Sequence, residues 1–306
     1  MRIRFFECLR PGPCLWLLFS LLAVPLGMVQ ADEPAAAPAE DAVEAEKSQK
    51  RLEFLNKAAA RFELHVNGEA GAVSHVVPTP LLRWTNPHSS AKDGVLIAFS
   101  HGGRPDALAQ IAVYSETNVV HEFQSTCEQP VAMQRDGQTF WEYGEPGIQF
   151  QTLAKVSPPA DSESLRTIQL RQIAESFQVF DEHGWNTPVR QPLRLLRQPV
   201  HRYHDSQAGI LDGAVFAFVL GTDPEATLMV EAVQGENGPQ WRFAFSEMTI
   251  YALQAFRQEE MVWNKPDHRV FCRSNVAHYV CPYSPSPDDP SLKGLMPSAT
   301  SPASAK

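Results

Sequence analysis

Between residues 46 and 281 short apolar stretches alternate with clusters of Gly, Pro, Asp and Asn. The segment SQKRLEFLNKAAARF places Leu52, Leu55, Ala59 and Phe62 at three- and four-residue steps, which predicts a helix with one apolar face. PLLRWTN, GVLIAFS, ALAQIAVYS, VVHEFQS and VAMQR follow, each short, rich in β-branched or aromatic residues and bounded by turn formers, as strands are. The plan then recurs. Asp161 or Ser162 is placed to cap a helix carrying Leu165, Ile168, Ile173 and Phe177, and PVHRYHD, AVFAFVL, ATLMVEAV, WRFAFSEM and YALQAF come after it. Consecutive strands with short connectors pair antiparallel. The pattern therefore predicts an α+β fold of two tandem repeats, each an N-terminal helix followed by an antiparallel β-meander, packed with pseudo-two-fold symmetry.

The recurrence extends to residue identity. Residues 80–107 lie over 199–226 at a constant shift of 119, with nine identities that include Pro80/Pro199, Arg83/Arg202, Asp93/Asp212, Gly94/Gly213, Phe99/Phe218 and Pro105/Pro224. The shift then becomes 120 and carries Phe123/Phe243, Gln138/Gln258, Tyr143/Trp263 and Pro146/Pro266. Such order along the chain marks a duplication, with repeat 1 over 46–157, repeat 2 over 158–266 and a C-terminal extension over 267–281.

The shared signature is Asp-Gly, an apolar strand, then Gly-x-x-Pro-Asp/Glu-Ala. Its chemistry is that of turns: Asp93 and Asp212 before glycine suit Asx turns, Gly102 and Gly221 allow a positive φ, and Pro105 and Pro224 fix one. Asp212, Asp223 and Glu225 also place three carboxylates close together, a set able to hold a hard cation. Arg104 stands where the other copy has Asp223, so the set is not duplicated. The stretch from Asp212 to Glu225, DGAVFAFVLGTDPE, resembles that of a family of uncharacterised secreted bacterial proteins with a tandem repeat and a DGAxFAFxxGTDPE-like motif. The resemblance implies membership of that family and nothing about chemistry.

The ends differ from the middle. Residues 1–31 read as a signal peptide, with Arg2, Arg4 and Arg10, a 16-residue apolar run and Val29-Gln30-Ala31 at the cleavage point. That run is short for a bilayer span, so no membrane span is expected after cleavage. Residues 32–45 read as a disordered Ala/Pro/Glu tether and 282–306 as a disordered Pro/Ser tail. The protein is expected to be exported, to the periplasm or beyond. In that setting Cys272 and Cys281 are disulfide candidates and Cys127 is left over. The net charge of −9 argues against nucleic acid as a partner.

No catalytic motif is complete. Ser100-His101-Gly102-Gly103 looks like an oxyanion loop but lacks a Gly-x-Ser-x-Gly partner, and a hairpin turn explains it better. His201 and His204 point to opposite faces of a strand and cannot share an ion. No metal, cofactor or catalytic set is assigned. The leading expectation is a non-catalytic binding or structural module of the cell envelope, its partner an envelope protein or a small ligand. Arg83, Trp84, Arg202 and Tyr203 are the contact candidates, as cations beside aromatics. The alternative is an envelope hydrolase whose site lies in one repeat only, with His101, His121, His201 and Asp223 as the asymmetric polar candidates.

Overall fold

The computed structural model describes residues 39–66, 72–86, 91–184, 186–236, 238–283 and 292–295. The expected leader at 1–31 and the tether up to 38 lie outside them. The described residues belong to one compact unit. The first half contains α1 (Ala39–Ala59), β1 (Phe62–Val66), β2 (Val73–Val76), β3 (Leu82–Asn86), β4 (Ala91–Ser100), β5 (Ala107–Ser115), β6 (Asn118–Ser125), β7 (Val131–Arg135) and β8 (Gln138–Tyr143). After β9 (Gln151–Thr152) come α2 (Glu163–Glu175), β10 (Phe177–His183), β11 (Val189–Pro192), β12 (Arg194–Leu195), β13 (His201–Asp205), β14 (Ile210–Leu220), β15 (Asp223–Gly235), β16 (Gly238–Glu247), β17 (Leu253–Arg257) and β18 (Glu260–Lys265). β19 (His278–Tyr283) follows.

This architecture overturns the expected α+β pair of helix-plus-meander repeats. Strands hold 52% of the described residues and helices 14%, so the fold is mainly β. Neither half is a simple meander: β3–β6 and β13–β16 pair in chain order, but the flanking strands pair at long range. β1 pairs with β7 and β10 with β17, each across several intervening hairpins. β19 adds to β6, and β9 adds to β16. The first sheet runs β19-β6-β5-β4-β2-β1-β7-β8, with β3 on β4. At its far edge Asn275 N–H donates to Glu142 O (2.7 Å) and Trp141 Nε1 to Val276 O (2.8 Å), nearly closing a barrel. The physical reason is that a meander leaves its first and last strands with open edges, and closure pairs them.

Pairing also corrects the alignment of the two halves. Phe123 faces Ala109 while Phe245 faces Leu228, so Phe245, not Phe243, is its counterpart. Gln138 faces Arg135 as Glu260 faces Arg257. The β15–β16 hairpin is longer than β5–β6, and a slip of two residues leaves every side chain on its original face.

Apolar runs in β4 and β14 are continuous because both faces are covered. Val95, Ile97 and Phe99 pack in one core with Phe54 and Leu55 of α1. Ala214, Phe216 and Phe218 pack in another with Leu170 and Ile173 of α2. Their alternate residues Leu96, Ala98 and Val215 meet in a central core between the halves, with Met229, Ala244 and Met248.

Asp93 and Asp212 are inside strands, not in turns, which overturns the Asx reading. Each is buried and faces one arginine from a helix and one from a strand. Arg51 Nε (3.1 Å) and Arg83 Nε (2.8 Å) meet Asp93, and Arg166 Nε (3.0 Å) and Arg202 Nη2 (2.7 Å) meet Asp212. The following glycines make room for a ring: a Cβ on Gly94 would stand 2.6 Å from the Trp84 indole, and one on Gly213 2.4 Å from Tyr203. Gly221 has the expected positive φ of 64°, whereas Gly102 is not among the positive-φ residues; the space requirement falls on Gly103, against His204. The expected tether is helical from Ala39, as its Ala and Glu content permits. The expected tail also supplies structure: β19 runs through Tyr283, and Leu292 is buried in the first core. No helix among the described residues is long and apolar enough to cross a membrane.

Candidate functional site

A cavity of about 430 Å³ opens between the two halves. β3 contributes Trp84, β5 contributes Gln110, Ala112 and Tyr114, and β6 contributes Val120 and Glu122. From the second half come His183 of β10, Asp223 and Glu225 of β15, and Met248 to Tyr251 after β16. Phe271 and Val280 complete the wall. No Lys or Arg occurs among these lining residues.

The carboxylates are the unusual feature. Asp223 is 8% exposed, Glu225 4% and the neighbouring Asp181 0%. Two have neutral partners: Asn86 Nδ2 donates to Asp223 Oδ2 (2.9 Å), and Gln110 Nε2 lies 3.4 Å from Glu122 Oε2. Gln191 bonds Asp181 and His183 Nδ1 stands 3.6 Å from its Oδ2, while Gln110 Oε1 is buried without a hydrogen-bond partner among the described residues. Burial pushes Asp223 and Asp181 up to about 7. It holds Glu122 and Glu225 well above the usual carboxylate range, with the charge of Asp223 adding to both. Ligand atoms of Asp181, His183 and Glu225 lie within 4.8 Å of one another, so this corner is also able to hold a cation.

The corresponding place in the other half is occupied by the protein itself. Trp84 faces Gly94, Gly94 faces Ala112 and Ala112 faces Val120 in one cross-strand row. In the matching row Tyr203 faces Gly213, Gly213 faces Glu231 and Glu231 faces Arg242. There the Tyr203 hydroxyl donates to Glu231 (2.9 Å), and Arg242 binds the same carboxylate at 2.6 and 2.7 Å. Arg104, the counterpart of Asp223, lies 4.0 Å from Glu231 and 3.0 Å from Glu128. The Phe150 ring stacks on both guanidinium groups, at 4.2 and 5.4 Å. One row is thus neutralised from within. The other opens on a cavity rimmed by acids.

Of the sequence candidates, Trp84 and Asp223 reach this cavity. Arg83 and Arg202 do not: both are held on buried aspartates, and each also bonds its helix, at Ser48 and Thr167. Tyr203 belongs to the filled row. His101 Nδ1 bonds Asp106 at 2.7 Å in the β4–β5 turn. His121 is buried edge-on against Phe62, and burial first, then Arg135 and Arg61, lowers it to about 3. His201 is half-buried beside Tyr203, and burial lowers it too. The four histidine and aspartate candidates therefore do not form one constellation. Cys272 and Cys281 are bonded, while Cys127 is free and buried.

Glu122, Asp181 and His183 were missed because their neighbours come from distant strands. The signal present was Asp181-Glu182-His183, which puts an acid and an imidazole on one strand face. No family model, curated protein or solved structure matches the chain.

Proposed function

We propose that the protein is an exported, non-catalytic binding module that takes a small organic cation, an amine or guanidinium compound, into the cavity between its halves. One observation carries this reading. Buried acids surround the cavity with no Lys or Arg in its lining, whereas two arginines meet the carboxylate of the corresponding row. Burying a charge without a partner is costly, so an incoming cation gains what the arginines provide internally. About 430 Å³ is far more than a bare ion needs and lies within the range of small-molecule sites. Trp84, Tyr114, Tyr251 and Phe271 offer aromatic surface to a cation.

The test is calorimetric titration with agmatine, spermidine and neutral compounds of like size. Cations should bind at least tenfold more tightly than their neutral counterparts, and Asp223→Asn should remove most of that preference. Equal binding of neutral and cationic probes would sink the proposal.

Asp223 and Asp181, both near 7, also suit acid–base chemistry, which keeps a hydrolase as the second reading. Turnover on an ester, glycan or phosphate panel that disappears in Asp223→Asn would favour it.

A further inference from the structure

A second polar cluster lies next to the cavity, close enough that the charge of Glu247 helps to raise Glu122. Glu247 is the last residue of β16, His278 is the first of β19, and His268 lies on the stretch joining β18 to β19. His268 Nε2 is 3.0 Å from His278 Nδ1 and 3.2 Å from Glu247 Oε2. Glu247 is 3% exposed and His278 1%, while the side chain of His268 is 22% exposed.

One proton cannot satisfy these three atoms. If His268 Nε2–H donates to His278 Nδ1, Glu247 Oε2 loses the donor that stands 3.2 Å from it. If it donates to Glu247, the buried Nδ1 of His278 is stranded instead. A metal ion satisfies all three lone pairs at once. The spacing fits one: ligands about 2.0–2.1 Å from a tetrahedral zinc stand roughly 3.3 Å apart.

The supports of a metal site are also in place. Lys265 Nζ holds the other oxygen of Glu247 at 2.7 Å, fixing the carboxylate as an outer partner does. His268 N–H donates to Ile250 O (3.0 Å), which anchors its backbone beside the end of β16. The bond between Cys272 and Cys281 cross-links the segment that joins the two histidines. The partly exposed side chain of His268 gives an ion an entry path.

We propose that Glu247, His268 and His278 bind a divalent transition ion of the zinc class. Two imidazoles and one carboxylate favour Zn²⁺, Cu²⁺ or Ni²⁺ over the oxygen-seeking Ca²⁺ and Mg²⁺. The metal site uses none of the acids that the organic cation would meet in the cavity.

The test uses the full chain stripped with a chelator and titrated with Zn²⁺, with Co²⁺ as a visible reporter of tetrahedral geometry. One equivalent should bind. His268→Ala, at a partly exposed position, should weaken binding about 100-fold with an unchanged circular dichroism spectrum. Glu225→Gln, which alters the cavity, should leave zinc affinity unchanged, and Ca²⁺ should not compete. Absence of stoichiometric binding would overturn the proposal. So would zinc affinity that survives His268→Ala, or that is lost in Glu225→Gln instead.

Discussion

Asp93 and Asp212 are charges held within the sheets, and each survives there because two guanidinium groups converge on it from different elements. Removing Asp212 leaves two partly buried guanidinium groups with weaker partners, Glu163 for Arg202 and the carbonyls of Ala160 and Asp161 for Arg166, which is the costly way to break such a cluster. Asp212→Ala should therefore destabilise the fold by about 3–5 kcal/mol, read from the urea midpoint. A loss below about 1 kcal/mol would show that Arg166 and Arg202 find water instead. These arginines also show where single residues become illegible. Arg83 beside Trp84 and Arg202 beside Tyr203 have the composition of a recognition patch, yet within each pair the two side chains part company. The arginine turns to the helix and the aromatic lies over a glycine. Neighbours in sequence along a strand face opposite ways, so their adjacency says nothing of a shared site.

At the scale of elements, the strands were legible because each is short, apolar and bounded by turn formers. Their partners were not, because pairing of β1 with β7 or β19 with β6 is non-local and leaves no periodicity in the chain. Aromatic-over-glycine rows are the devices that fix register where the pattern cannot. Gly213→Ala places a Cβ 2.4 Å from the Tyr203 ring, so either the ring or β14 must shift. A loss of about 1–3 kcal/mol is expected, as for overpacking in a filled core. The displaced ring should also loosen the Tyr203–Glu231 bond, which is visible as altered tyrosine fluorescence. An unchanged melting temperature would show that the row tolerates the methyl group. The candidate site was half legible for the same reason. Asp223 and Glu225 are near neighbours in one strand, but Glu122 and Asp181 reach them only through tertiary structure.

For the whole molecule, the cavity acids predict how stability follows pH. An unfolded carboxyl titrates near 4, while burial pushes Asp223 and Asp181 up to about 7 and raises Glu122 and Glu225 as well. Between those values the four acids bind more protons in the folded chain than in the unfolded one, so their contribution falls as pH rises, opposed below about pH 6.5 by His121 and His278, which burial lowers to about 3. For Asp223 and Asp181 the contribution is complete below about pH 4 and lost through about pH 7. The melting temperature should be several degrees higher at pH 5.5 than at pH 8, and Asp223→Asn should flatten the difference. A saturating organic cation should restore stability at pH 8. A flat profile for the wild-type protein would mean that these acids are already neutralised.

β19 has a consequence in time. β6 forms at residues 118–125 but is covered by residues 278–283, so its partner strand is among the last parts of the body to be made. At about 5–20 residues per second, β6 waits on the order of ten seconds with its outer edge bare. Leu292 reaches the first core later still. The first half therefore cannot complete itself as it emerges. It remains an unfinished sheet until synthesis has passed residue 292, a delay that keeps the chain loose and leaves one open edge for a chaperone to guard.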